Sequence, residues 1–131
     1  MKEIKIGEVF EKEIEVNDCH LACNVGSGDV AVYATPMMIA LMEEVSAKCL
    51  QQFIDKDMTS VGTCISSSHV AATPKGMKVK AVAKIVAVEG RKVNFEIRAY
   101  DETGLIGEGT HERFILNRDK FHEKAQAKLR R

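Results

Sequence analysis

The chain carries no excess of either charge: Lys and Arg together number 19, and so do Asp and Glu, in 131 residues. No global basic field is available to draw it onto a polyanion, which argues against nucleic acid as a partner. No apolar run approaches the length of a membrane span, and the charged opening MKEIKIGEVF lacks the apolar centre of an export signal. The expectation is a soluble, cytoplasmic protein with no membrane partner, whose four cysteines stay reduced. A second paired set of cysteines is missing too. Cys19, His20 and Cys23 form a C-H-x-x-C cluster that could begin a metal site, but Cys49 falls in a predicted helix and Cys64 in a predicted strand. Thiols packed as small hydrophobes, with no metal, are the simpler reading.

What is present is an ordinary globular balance, 45% hydrophobic and 29% charged, at a length that makes one domain over residues 1–131 with a real core. The most informative stretch is YATPMMIALMEEVSAKCLQQF, from Tyr33 to Phe53. Thr35 followed by Pro36 predicts a helix start, a hydroxyl at the N-cap and then a fixed φ where no N–H is needed. Met37 to Met42 follow without a polar interruption, so the first half of the helix is expected to be wrapped by protein. Glu43 and Glu44 come next. A helix turns about 100° per residue, so the two carboxylates cannot share one environment.

Around that helix the chain reads as strands. Glu11 to Val16 alternates as a half-exposed first strand, and Asn17 to Asp29 is a polar, glycine-containing loop. Val61 to Ala72 alternates again, which puts Val61, Thr63, Ile65, Ser67 and His69 on one face and Gly62 on the other. Three long strands follow, Met77 to Val88, Lys92 to Tyr100 and Leu105 to Asn117, the first two joined by a tight Glu89-Gly90-Arg91 hairpin. Gly107 and Gly109 inside the last strand suggest a bulge or the close approach of another backbone. Arg118 to Arg131 reads as an exposed basic helix. One helix and antiparallel strands, with the sheet curled around the helix, make an α+β hotdog architecture. A single sheet of that kind leaves an edge and part of the helix open, so self-association as a homodimer, or something larger, is expected.

The segments YATPMMIALMEEVSAKCL, SVGTCISSSHVAATPKGM and VAVEGRKVNFEIRAYDETGLIGEGTHERF resemble the fluoroacetyl-coenzyme A thioesterase-like family of hotdog thioesterases, over most of the chain. The resemblance implies a dimer that hydrolyses an acyl-coenzyme A at the subunit interface, with no cofactor beyond the coenzyme A of the substrate itself. It implies a catalytic Thr, Glu and His, which fall on Thr35, Glu43 and His69, and a glycine near the thioester carbonyl, which falls on Gly62. Fluoroacetyl selectivity in the family rests on apolar and aromatic residues that close over the acyl group. Here Cys19 to Val32 contains no Phe, Tyr or Trp, and only Tyr33 stands near. A short or medium acyl group is therefore the expected substrate, with Tyr33, Met37 and Met38 in its lining, together with Met42.

The chemistry can be argued beside the resemblance. Free N–H groups and the dipole at a helix N-terminus favour an oxyanion near Thr35, although a plain N-cap accounts for the same residue. Glu43, eight residues on, lies about 80° around the helix and could act as nucleophile or as base for water, or could be a solvated or dimer-contact carboxylate. His69 is either a proton carrier or a satisfied core histidine. His111 and Arg113 share one face of the last strand with Glu112 on the other, which reads as structural or as a phosphate contact for coenzyme A. Two other classes fit the same fold: a module that binds acyl-coenzyme A without cleaving it, and an acyl-coenzyme A hydratase.

Overall fold

The computed structural model describes residues 2–130. In chain order they form β1 (Val9–Glu15), α1 (Ala22–Val25), α2 (Thr35–Gln51), β2 (Met58–Ser67), β3 (Lys78–Glu89), β4 (Lys92–Asp101), β5 (Gly104–Asn117) and α3 (Arg118–Gln126). The strands make one antiparallel sheet in the order β1-β3-β4-β5-β2. β3 and β4 alternate as the sequence does. Val79, Ala81, Ala83 and Ile85 point inward with Val93, Phe95, Ile97 and Ala99, while lysines, arginines and glutamates point out. The inner alanines are small, so α2 can lie close on the concave face. It buries Met38, Leu41, Met42, Val45, Cys49 and Leu50 there, and a sheet curled around one long helix is the expected hotdog.

The helix is covered on one side only. The prediction that Met37 to Met42 would all be wrapped is corrected: Ala40 is exposed and Ile39 half-buried, and they continue a strip with exposed Pro36 and half-buried Glu43 and Ala47. These positions recur at three- and four-residue spacing, which is one helix face. The single sheet ends at β2, which is an edge, and Gly62 of that strand lies against Glu43 of this strip.

The segment expected as a loop is structured. It holds a 3₁₀ turn, Asp18–His20, then α1, and it is tied to the body by Ala22 N–H to Val32 O (2.8 Å), Ala34 N–H to His20 O (2.9 Å) and a Lys75–Asp18 ion pair (2.8 Å). Cys19 and Cys23 point to neighbouring asparagine oxygens, and no group of three or more metal-ligating side chains gathers among the described residues. No helix there is long and apolar enough to cross a membrane.

Candidate active site

The N-terminus of α2 brings the first pair of predicted residues together. Ala34, not Thr35, is the N-cap, and Thr35 is the first helical residue. Its hydroxyl therefore makes no capping bond and is free to meet His69, whose Nδ1 lies 2.6 Å from Thr35 Oγ1. His69 sits just past the end of β2 and is fixed from both sides. Ser68 N–H donates to Glu108 O (3.0 Å) and Val70 N–H to Ile106 O (2.7 Å), so β5 holds the turn that carries the imidazole. Burial holds the ring below its ordinary pKa of 6.5, which keeps a base neutral near neutral pH. Its Nε2 is sealed from solvent and has no hydrogen-bond partner among the described residues.

Beside this pair lies a cavity of about 380 Å³, lined by Val30, Val32, Tyr33, Thr35, His69 and Val70 among others. Tyr33 is buried, donates its hydroxyl to Met37 O (3.3 Å) and meets His20 edge-on at 6.2 Å. Within one chain the expected methionines do not line this cavity. Met38 and Met42 are wholly buried in the core and Met37 packs against it, so the apolar part of the cavity wall is valine, alanine and tyrosine, with Ser27 and Asp29 adding a polar side. Met38 is drawn inward by Gly107, where a side chain would collide with its sulfur at 2.9 Å.

The second cluster lies two turns along α2. Glu44 is fully engaged by Lys12 (2.6 Å) and Lys48 (2.8 Å), whose ammonium groups, Lys12 first, hold its carboxyl below the usual range. Glu43 makes no hydrogen bond or ion pair among the described residues. It lies against Gly62: a Cβ there would stand 3.1 Å from Glu43 Oε2, 3.1 Å from His111 Cε1 and 3.5 Å from Arg113 Nη1.

Simple alternation misplaced Gly62. The β2–β5 register slips between Gly62 and Cys64, leaving Thr63 as an extra residue. A bulge reverses the parity of everything beyond it. Ser60 and Gly62 therefore face inward before it, paired with buried Ile115 and Arg113, and Ile65 faces inward after it, paired with buried His111. Val61 is turned outward opposite Phe114, which is 40% exposed. Gly62 and His69 thus both serve the inner side, which the sequence assigned to opposite faces.

His111 and Arg113 are the residues whose place the sequence did not reveal. Their shared parity was legible, but they are buried beneath Glu43 and not set out as phosphate contacts. The usable signal was two polar side chains on the inward register of β5, in line with Ile115. Glu112 faces outward and accepts from Thr63 Oγ1 (2.6 Å). Within one chain, then, the structure joins Thr35 to His69 and Glu43 to Gly62. The two groups are separated by eight residues of helix, about 12 Å of rise.

The model of the fluoroacetyl-CoA-specific thioesterase family matches residues 16–119, a span that holds Thr35, Glu43, Gly62, His69, His111 and Arg113. The chain belongs to the fluoroacetyl-CoA-specific thioesterase family. Within it, the fluoroacetyl-CoA thioesterase of Streptantibioticus cattleyicolor is 37% identical over 97 residues, 74% of this chain and 70% of that one. A crystal structure of a point variant of the fluoroacetyl-CoA-specific thioesterase FlK superposes with a TM-score of 0.91 at 30% identity, over 98% of this chain and 99% of that one. A point variant of FlK has also been solved in complex with fluoroacetate and CoA. A thioesterase superfamily member of Thermus thermophilus gives a TM-score of 0.88 at 30% identity, over 97% of this chain and 94% of that one.

Proposed function

We propose that this protein hydrolyses an acyl-coenzyme A to a carboxylic acid and coenzyme A, working in the cytoplasm as a homodimer whose sites draw on both subunits. The observation that carries the reading is the Thr35 hydroxyl held 2.6 Å from His69 Nδ1 at a helix N-terminus, on the wall of a cavity. Family membership supports the same reaction class.

Dimerisation supplies what one chain leaves apart. Thr35 and Glu43 each lie four residues from Ile39, at the centre of the uncovered strip of α2. A two-fold axis crossing there, with the helices antiparallel, sets Thr35 opposite the partner's Glu43. The same packing covers Ala40 and Ile39 and pairs edge strand β2 with its copy.

In the assembled site the thioester carbonyl rests at the start of α2, where the Thr35 hydroxyl, helix N–H groups and the N–H of the partner's Gly62 receive the developing oxyanion. The partner's Glu43 takes the proton of a water that attacks the carbonyl, or attacks the carbonyl itself to form a mixed anhydride that water then hydrolyses; the C–S bond breaks, and His69 carries the proton released by that water to the departing thiolate. The cavity of about 380 Å³ houses the acyl group. Its wall carries no Phe or Trp, so an acyl group larger than fluoroacetyl fits it better.

Thiol release from acyl-coenzyme A thioesters of two to twelve carbons and aromatic ones tests the reading. Release with a chain-length preference above acetyl, abolished in Glu43→Gln, supports it. Binding of coenzyme A without release from any thioester would leave a non-catalytic module, and loss of crotonyl-coenzyme A without release would mark a hydratase.

A further inference from the structure

A second hollow, of about 390 Å³, lies where the end of α2, the turn into β2 and the start of α3 meet. Its wall is Ala47, Lys48, Gln51, Lys56 and Arg118. Three of these side chains are cations and none is a carboxylate. Two other hollows are mixed in sign: Lys78 and Lys80 stand with Glu13, Asp101 and Glu102 in one, and Lys120, Lys124 and Arg130 with Glu123 in another.

Arg118 is the best anchored of the three cations. Its Nε donates to Lys56 O (3.3 Å) and its Nη2 to Met58 O (3.2 Å), while its backbone N–H donates to Asp57 O (2.9 Å). Backbone carbonyls orient a guanidinium and leave its net charge uncancelled. Gln51 Nε2 donates to the same Met58 O (3.3 Å), which ties α2 to that turn. Lys48 shares Glu44 with Lys12. Neither Lys56 nor Arg118 makes an ion pair among the described residues. Like charges gathered around one hollow without a counter-charge repel one another, and a bound anion relieves that repulsion.

The place of the hollow says which anion. Half-buried Ala47 belongs both to its wall and to the uncovered strip of α2. Ala47 lies one turn beyond Glu43 and Gln51 two turns, about 6 and 12 Å of rise. In the dimer the partner's Glu43 stands opposite Thr35, so the partner's hollow opens farther along the same interface, one to two turns from the thioester. We propose that this hollow binds the phosphates of the coenzyme A nucleotide. The acyl group enters the cavity beside Thr35 and His69 of one subunit, and the pantetheine arm runs along the partner's α2 to the partner's Lys56 and Arg118. The nucleotide is the strongly anionic part of an acyl-coenzyme A, and a wall of cations without carboxylates selects that part.

The inference rests on the thioesterase reading for its substrate, and two measurements separate the two. Lys56→Ala, Arg118→Gln and the double variant of the full-length protein are compared by thiol release from the best acyl-coenzyme A of the panel. The same acyl group carried on pantetheine, which has no nucleotide, is the second substrate. Binding of coenzyme A itself is followed by titration calorimetry, which needs no turnover. The double variant is expected to raise KM for the acyl-coenzyme A about tenfold with kcat within about twofold, and to weaken coenzyme A binding by a similar factor. Each single variant gives about threefold, and Lys56→Ala, at an exposed position, keeps the test alive if Arg118→Gln does not fold. With the pantetheine thioester the rise in KM disappears, and added salt narrows the gap between wild type and variant on the acyl-coenzyme A. Unchanged KM and unchanged coenzyme A binding in the folded double variant, or an equal rise with the pantetheine thioester, would overturn the hollow as the nucleotide site and leave hydrolysis standing. A wild-type protein that releases no thiol, yet loses coenzyme A affinity about tenfold in the double variant, would overturn hydrolysis and leave the nucleotide site standing.

Discussion

At the scale of single residues, the neighbouring carboxylates Glu43 and Glu44 show how one step along a helix separates chemistry from stability. Glu44 is spent on two lysines at the surface; Glu43 is unpaired over Gly62. Glu43→Gln and His69→Ala are each expected to cut turnover by about 10²–10⁴ with the dimer intact by light scattering. Glu44→Gln should leave kcat within about twofold, as an exposed ion pair contributes little even to stability. Turnover preserved in Glu43→Gln would remove that residue from the reaction. Protonation gives a second check. Burial places both His69 and His111 below 6.5, the value each takes when unfolded. The unfolded chain therefore binds more protons than the folded one as pH drops past 6.5, and stability falls from there down to the folded values. The melting temperature is expected to hold from pH 8 to 7 and decline between pH 6.5 and 5. A decline of the same size in His111→Gln would show that His111 is not part of it. The acidic limb of kcat/KM should likewise lie below 6.5, set by His69.

At the scale of elements, β2 is where a small irregularity decides the site. The extra residue Thr63 turns Ser60 and Gly62 inward on one side of the bulge and Ile65 inward on the other. Deleting Thr63 would straighten the ladder and send Ile65 outward, or drag Gly62 and Ser60 out instead. We expect that deletion to abolish turnover and lower the melting temperature by more than 10 °C; wild-type melting in the deletion would refute the bulge as the cause. The β2–β5 contact is also unusually close, since a side chain at Gly109 would run into the Ser66 backbone. The helix answers with bulk. Met38→Ala, in a fully buried position against Gly107, is expected to cost about 2–5 kcal/mol in urea unfolding.

For the whole molecule, the uncovered strip of α2 and the free edge of β2 lie on the same side, and both point to a second copy. Ala40→Glu sets a charge on that strip, one helical turn before Glu43 and on the same face. Such a variant should sediment as a folded monomer, with hydrolysis reduced at least 100-fold, since each site then lacks the other subunit's contribution. A monomer that hydrolyses at the wild-type rate would show that one chain suffices.

The amino-acid sequence by itself determined the elements and their order. Strict alternation in β3 and β4, the Thr35–Pro36 start and the unbroken apolar run behind it are local patterns, and local patterns survive without knowledge of neighbours. It also determined which residue types stand at Thr35, Glu43, Gly62 and His69. It did not determine where their atoms point. The cap at Ala34 that releases the Thr35 hydroxyl, the bulge at Thr63, the withdrawal of Met38 into the core and the Arg113–His111–Ser60 hydrogen bonds under Glu43 all arise from contacts between positions far apart in the chain. Hydrogen bonds such as Arg113 to Ser60 join residues 53 positions apart, and no periodicity records them. Packing decided those, because a side chain's direction and charge state follow from what is pressed against it.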